Sequence, residues 1–361
     1  MNDKPAGPLR RGWTTGACAT AATRAAYTAL LTGRFPDPVT ITLPRGQQPA
    51  FALTHAELDG GQATAAIIKD AGDDPDVTHL ATIQVTVRHG APKTGVRFRA
   101  GPGVGTVTRA GLPLDVGEPA INPVPRRMMT ETIADVAHAE NAAGDVEIEI
   151  TVPGGEALAE KTWNPRLGIV GGLSILGTTG IVVPFSCSAW IHAIHRGVDV
   201  ARAAGLSHVA GCTGSTSEAA VRQLHRLPEL AMLDMGDFAG GLLKYLRSHP
   251  VERLTIGGGF AKISKLADGH LDLHSGRSQV DMAALSRRLQ AIGADAALVG
   301  RAATANTAKE VLDMGLSAGF DLAAPVAADA LKTIVATLGT EAEVDVVITD
   351  RAGAVLAHVE S

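Results

Sequence analysis

Apolar and polar positions change rhythm partway along the chain. Thr14-Thr15-Gly16 opens an alanine-rich stretch, Ala17 to Leu31, that stops at Gly33. Threonine caps helices, alanine has the highest helix propensity and glycine accepts the left-handed conformation that ends one, so this segment predicts a helix. Val39, Ile41 and Leu43 then alternate with polar neighbours. Pro44-Arg45-Gly46 is a turn, and Phe51 and Leu53 lie on the return, which predicts a hairpin. Ala65 to Ile68, Thr82 to Val87, Val96 to Arg99 and Val146 to Val152 read as further strands. Thr130 to Ala143 reads as a helix after the proline-rich connection Gly111 to Pro125.

From about Trp163 short apolar runs alternate with helical ones. Ile181 to Pro184 precedes a helix near Ile191 to Ala204. His208 to Gly211, Ala231 to Met235 and Leu254 to Ile256 are each followed by a helix, starting near Thr216, Phe238 and Ala261. Such repeats predict a parallel sheet covered on both faces. Helical patterns continue through Asp281 to Ile292, Asn306 to Met314 and Ala328 to Leu338. Val344 to His358 reads as two strands around Asp350-Arg351-Ala352-Gly353, expected to rejoin the sheet of the first domain. The fold class is therefore α/β and α+β in two domains, an α+β domain (1–162 plus 340–361) and an α/β domain (163–339). No internal repeat or low-complexity segment interrupts it.

Composition narrows the function classes. The 361 residues exceed one typical core, and 45% apolar residues suffice to build two. Only 3% of residues are aromatic, which argues against a single-stranded nucleic-acid binder with stacking platforms, and a net charge of −5 marks no polyanion binder. Cys18, Cys187 and Cys212 are odd in number and far apart, so neither a disulfide framework nor a paired-cysteine zinc site is expected, and a reducing cytoplasm is the simplest location. Met1 to Arg11 has no apolar signal-peptide stretch. Leu167 to Ile191 lacks charged side chains but is rich in glycine, with Pro184, and reads as buried strands and loops rather than a membrane helix.

Glycine-rich loops are the candidate ligand sites. Gly101 to Gly105 lacks a following helix and so reads as a tight turn, not a dinucleotide loop. Gly211-Cys212-Thr213-Gly214-Ser215 follows a strand and opens a helix, where amides attract anions, although Ser215 and Glu218 also have capping-box spacing. Gly257-Gly258-Gly259 follows a strand too, with Lys262 and Lys265 within one helical turn of each other, able to face one carboxylate or to form a solvated basic face. Thr14-Thr15-Gly16 is small enough for close approach to a helix start, or is simply a cap. Asp70, Asp73, Asp74 and Asp76 lack a calcium-loop pattern and read as a solvated turn. His270 and His274 lack the glutamate of a zincin, so no metal site is expected.

The loops as written resemble one family. Leu9 to Ala19 (LRRGWTTGACA), Lys69 to Thr78 (KDAGDDPDVT), Gly101 to Met129 (GPGVGTVTRAGLPLDVGEPAINPVPRRMM), Asn164 to Ser186 (NPRLGIVGGLSILGTTGIVVPFS), Asp234 to Gly240 and Lys262 to Ser275 (KISKLADGHLDLHS) stand in the order found in the cobalt-precorrin-5B C1-methyltransferases. Val183 stands where an acidic residue is usual, Phe185 where methionine is usual, and Gly259-Phe260-Ala261 replaces a more common Ile-Gly pair. The resemblance implies an inserted α/β domain and transfer of methyl from S-adenosylmethionine to ring carbon C1 of cobalt-precorrin-5B. The products would be cobalt-precorrin-6A and S-adenosylhomocysteine, in cobalamin (vitamin B12) biosynthesis.

Cobalt then belongs to the substrate, and the protein needs no metal of its own. Partners are substrate and methyl donor, not nucleic acid or membrane, with homo-oligomerisation left open. Because the substrate carries several carboxylates, Arg126, Arg127, Arg166, Lys262 and Lys265 are expected clamps, beside Thr14, Thr15 and Gly16. The methyl donor is expected at Gly177, Thr178, Thr179 and Gly180, at Gly211, Gly214 and Ser215, or at Gly257, Gly258 and Gly259. Asp70 and Asp73 are weak candidates for orienting a ring group or assisting the proton change. The alternatives are methylation of a metal-free tetrapyrrole and a non-catalytic corrinoid carrier.

Overall fold

The computed structural model describes residues 7–339 and 341–361. Thus the first six residues of the Met1 to Arg11 stretch, and Thr340 at the expected domain boundary, lie outside the described residues. The chain divides into two compact units, 1–186 and 187–361.

In the first unit, β1 (Gly12–Trp13) leads into α1 (Thr15–Thr32). Thr14 caps α1 by accepting the Ala17 amide at 3.1 Å, and Gly33, at φ 77°, closes it. Ala17, Cys18, Ala21, Ala22, Ala25 and Ala26 have no exposed surface. Their small side chains let the helix lie close against a five-stranded sheet, which explains an alanine-rich core with few aromatics. That sheet is formed by β2 (His55–Asp59), β3 (Gln62–Ile68), β4 (Thr82–His89), β5 (Val96–Ala100) and β6 (Val146–Thr151) in the order β2-β3-β4-β6-β5. Only the β6–β5 pair is parallel.

The second helix on this sheet, α2 (Pro123–Ala139), begins earlier than the pattern predicts. Prolines 123 and 125 sit in its first turn, where a missing amide costs nothing and the fixed φ suits a helix. The Val39/Phe51 hairpin forms as expected. The Val104 amide donates to the Gly101 carbonyl at 3.1 Å, a turn as expected, but Gly103 and Val104 then pair as a short strand with Gly172 and Leu173. Gly103, at φ 79°, lies so close to the Val152 carbonyl that a Cβ would meet it at 1.9 Å.

In the second unit α3 (Cys187–Ala203) is followed by β8 (His208–Cys212), α4 (Ser215–His225), β9 (Met232–Asp234), α5 (Ala239–Ser248), β10 (Arg253–Gly259) and α6 (Phe260–Ala267). A short strand, β7 (Ile181–Val182), precedes them in the chain. Helices α7 (Met282–Ala291), α8 (Ala296–Ala303), α9 (Ala308–Ser317) and α10 (Ala323–Leu338) follow, then β11 (Glu343–Thr349) and β12 (Val355–Glu360). The sheet order is β9-β8-β10-β11-β12, parallel except for β12. Val221 of α4 packs with Ala210, Cys212 and Val347 on one face, and a larger core under α3, α5, α6 and α10 covers the other. Both faces being covered, the central strands are mostly apolar, as parallel strands are, with Thr255 and Asp345 as buried polar exceptions.

Two expectations are corrected here. The tail strands β11 and β12 extend the sheet of the second unit, with Leu254 opposite Val344, and do not rejoin the first sheet. The segment 163–186 belongs to the first unit: β7 pairs antiparallel with β1 (Gly12 opposite Val182, Trp13 opposite Ile181) instead of opening the parallel sheet. Strand pairing at these places depends on distant partners, which a local apolar pattern does not name.

Candidate functional site

Two clusters of loops gather the predicted residues, one in each unit. In the first unit the start of α1 is the meeting point. The Thr14 amide donates to the Gly180 carbonyl at 3.0 Å and the Gly16 amide to the Leu176 carbonyl at 2.9 Å, while the Leu176 amide donates to the Thr15 hydroxyl at 2.9 Å. A Cβ on Gly177 would meet the Thr14 side chain at 2.4 Å, and one on Gly180 would meet Leu43 at 2.5 Å. Thr14-Thr15-Gly16 and Gly177-Thr178-Thr179-Gly180 are thus one seam, with Thr178 exposed and Gly180 buried. Beside it, Leu176, Val183 and Phe185 are exposed apolar residues.

The acidic loop folds against β1. Arg10 binds both oxygens of Asp70 through its guanidinium, and its amide donates to Asp73 at 2.6 Å. The Trp13 amide donates to the Asp70 carbonyl at 2.7 Å. The Arg10 hydrogen bond, with the Gly72 amide, pulls the Asp70 carboxyl down to about 2. Asp74 accepts the Phe185 amide at 2.7 Å. Asp76 accepts the ammonium of Lys69 at 2.6 Å. Burial pushes the Asp76 carboxyl up, but Lys69 and Thr78 outweigh it and hold it low. Each of the four carboxylates is therefore engaged within the protein, Asp70 and Asp73 both by Arg10. A carboxylate held as low as Asp70 is also a weak base, so its geometry suits loop fixation better than proton abstraction.

Basic candidates in this unit differ sharply. Arg126 donates to the Ile121 and Pro119 carbonyls at 2.8 and 3.0 Å, pairs with Glu118 at 2.8 Å and lies over the Phe98 ring. Arg127, on the next position of α2, is exposed and only 3.8 Å from Glu131. Arg166 lies 5.3 Å over the Trp163 ring.

In the second unit the strand carboxyl ends form the other cluster. The Thr213 amide donates to the Gly257 carbonyl, joining the two glycine loops. Their glycines divide by environment. Added Cβ atoms on Gly211, Gly257 and Gly258 would meet Leu242 at 2.3 Å, Val221 at 2.6 Å and Ile263 at 2.9 Å. Gly214 and Gly259 have nothing within 4 Å. The first three are glycines for packing, whereas the last two leave open backbone at the starts of α4 and α6.

Gly214 takes the N-cap position and the Glu218 amide donates to its carbonyl at 2.9 Å, so Ser215 is the first helical residue and not the cap. Lys262 pairs with Asp237 and also reaches the Leu273 carbonyl at 3.3 Å; the buried Lys265 donates to that carbonyl at 2.9 Å. Burial, followed by the Lys262 charge, lowers the affinity of Lys265 for its proton. The Asp237–Lys262 pair was not singled out by spacing. Its signal was the Asp234 to Gly240 block lying between two strands' loops.

Nucleophilic catalysis by cysteine is disfavoured at two positions. Burial pushes the Cys18 thiol up to about 12 and raises that of Cys212 as well. His270 and His274 do not share a helix, and His195 stacks on Tyr245 with ring centroids 3.9 Å apart. Among the described residues no helix is long and apolar enough to cross a membrane.

Comparison with known proteins adds what geometry does not. A family model described as CbiD matches residues 2–184, and one described as the CbiD C-terminal domain matches residues 272–360. A Brucella abortus (strain S19) protein named cobalt-precorrin-5B C(1)-methyltransferase is 62% identical over 352 residues, covering 97% of this chain and 96% of its own. A protein of the same name from Paramagnetospirillum magneticum is 63% identical, covering 96% of this chain and 97% of its own. A solved structure of a cobalamin biosynthesis protein (cbiD) from Archaeoglobus fulgidus is 28% identical, covers 75% of this chain and 84% of its own, and superposes with a TM-score of 0.40.

Proposed function

The chain belongs to the CbiD family, and from that membership we propose that it is a cobalt-precorrin-5B C(1)-methyltransferase of cobalamin biosynthesis. The observation that carries the reading is 62% identity along 97% of the chain to a relative of that name. The methyl donor is S-adenosylmethionine, and the product is the C1-methylated ring, cobalt-precorrin-6A.

The methyl donor supplies an already activated methyl on its sulfonium, so no covalent enzyme nucleophile is needed. The protein's task is to hold ring carbon, methyl and sulfur in line, which lowers the barrier by removing the entropic cost of their meeting. Open backbone at Gly214 and Gly259, with Ser215 exposed beside Gly214, fits the donor, because ligands of parallel sheets bind at strand carboxyl ends and helix-start amides receive carboxylates. The Asp237–Lys262 pair offers one charge of each sign to an amino-acid zwitterion. Gly211, Gly257 and Gly258 position these loops by packing.

On the tetrapyrrole side, Arg127, Arg166 and the Thr14–Gly16/Gly177–Gly180 seam are the proposed contacts, while Arg126 and Lys265 act through the carbonyls they hold. Asp70 and Asp73 fix the loop through Arg10. A cytoplasmic location follows from this role in a soluble biosynthetic step.

The test is an anaerobic assay of the purified protein with cobalt-precorrin-5B and methyl-labelled S-adenosylmethionine, read by mass spectrometry and NMR. Label at C1 is the expected result. Folded protein that binds corrinoid without labelling it would indicate a carrier, and label on the metal-free ring alone would move the substrate.

A further inference from the structure

At the edge of the second sheet opposite the glycine loops lies a polar cluster that the methyl-transfer reading does not use. His225 ends α4, Asp345 sits near the start of β11, and His358 lies on β12. Sheet register brings them together: Val347 is opposite His358, so Asp345, two residues before Val347, shares its face, and α4 packs on that same face through Val221. The Nε2 atoms of His225 and His358 lie 2.9 and 3.0 Å from the same carboxylate oxygen, Asp345 Oδ2. The three ligand atoms lie within 4.8 Å of one another.

We propose that His225, Asp345 and His358 form a binding site for a divalent transition-metal ion of the zinc or cobalt(II) class, with a fourth position open to water. Two imidazoles and a carboxylate are the donor set such borderline ions take. With bonds of about 2.0–2.1 Å, tetrahedral ligands stand roughly 3.3 Å apart. Each Nε2–Oδ2 distance then widens by only a few tenths of an ångström, and the two Nε2 atoms settle to that spacing from within 4.8 Å of each other.

The carboxylate is also held in advance. Its other oxygen, Oδ1, accepts the Thr255 hydroxyl at 2.7 Å, with Arg253 Nε at 3.4 Å, and His208 in turn binds Thr255 at 2.8 Å. Outer hydrogen bonds of this kind fix the orientation of a ligating carboxylate. Arg253 adds a positive charge that opposes the metal, but Glu360 accepts its other arm at 2.9 Å and compensates it. Asp345 is almost fully buried whereas the His358 side chain is 28% exposed, so an ion has an approach from solvent. On binding, the Nε2 protons leave the face and each imidazole carries its proton on Nδ1.

The experiment uses the full chain, stripped with a chelator, at neutral pH. Titration with Co²⁺ should give visible d–d bands that saturate at one equivalent, and Zn²⁺ should displace them. Zn²⁺ should also raise Tm, since a ligand of the folded state stabilises it by mass action. His358→Gln and His225→Gln should each weaken Zn²⁺ binding by tenfold or more in calorimetry, with circular dichroism unchanged. If His225→Gln does not fold, His358→Gln decides alone. Absence of saturable binding overturns the proposal, as does binding that survives His358→Gln.

Discussion

The two loop clusters hold similar residues and use them in opposite ways. At the start of α1 the charges are engaged by the protein itself: Arg10 holds Asp70 and Asp73, Lys69 holds Asp76, and Asp74 holds the Phe185 amide. At the carboxyl edge of the second sheet the closures are made by side-chain volume, with Leu242, Val221 and Ile263 occupying the space that Gly211, Gly257 and Gly258 leave, while Gly214 and Gly259 stay open. An acidic loop is therefore not a ligand site by virtue of its charge, nor a glycine loop by virtue of its glycines. What surrounds each residue decides which role it has.

The largest test of that contrast is Lys69→Met. Lys69 is 1% exposed, and its removal leaves Asp76 partly buried without its cation. Breaking such a pair costs about 3 kcal/mol. Thermal and urea unfolding should show a loss near that size, and a loss below about 1 kcal/mol, the scale of surface pairs, would remove the structural reading of the acidic loop.

Next come the glycines. Gly257→Ala should cost roughly 1–3 kcal/mol by overpacking against Val221. Gly259→Ala has open space and an ordinary φ of −70°, so stability should stay within about 0.5 kcal/mol. If Gly259 lies against the methyl donor, the KM for S-adenosylmethionine rises several-fold in that variant, and equal stability losses in the two variants would erase the distinction.

A smaller split is expected between neighbouring arginines. Arg126→Ala loses two carbonyl hydrogen bonds and should destabilise the fold by about 1–2 kcal/mol. Arg127→Ala should leave Tm unchanged and raise the KM for the tetrapyrrole. Unchanged steady-state kinetics in Arg127→Ala would reject its role as a clamp.

The smallest effect concerns pH. Asp70 has its carboxyl lowered from 3.8 to about 2, so the folded state binds its proton less readily than the unfolded chain. Its contribution is complete above pH 4 and is lost as pH falls through about 2. Both Arg10 and Asp70 are well exposed, so solvent screens the pair and the step is small. Arg10→Ala should remove it from the acid limb of an unfolding titration, and an acid limb identical in wild type and Arg10→Ala would show that the bond contributes nothing.

Much of the local structure was legible along the chain. Threonine, alanine and glycine at 14–33 specify α1, because capping and propensity act within a turn or two. The strand–helix repeats from His208 to Ala267 specify a parallel sheet, because their apolar runs fit strands buried on both faces. The loop blocks resembling one family also pointed to the reaction. The partner of β7 was not legible, nor was the sheet that takes β11 and β12. A strand of a few apolar residues fits many edges, and the choice is made by register with residues far away in sequence.

The sequence by itself thus determined many of the helices and strands, the mixed α/β class and the family, but not the division at 186/187. Tertiary structure alone decided that Arg126 is bound to carbonyls while Arg127 faces solvent, that Gly257 is packed while Gly259 is open, and that His225, Asp345 and His358 converge on one oxygen. The physical reason is range. Helix caps and apolar rhythm act between near neighbours, whereas charge pairing, close packing and ligand geometry depend on atoms brought together from positions as distant as Thr15 and Leu176, 161 residues apart.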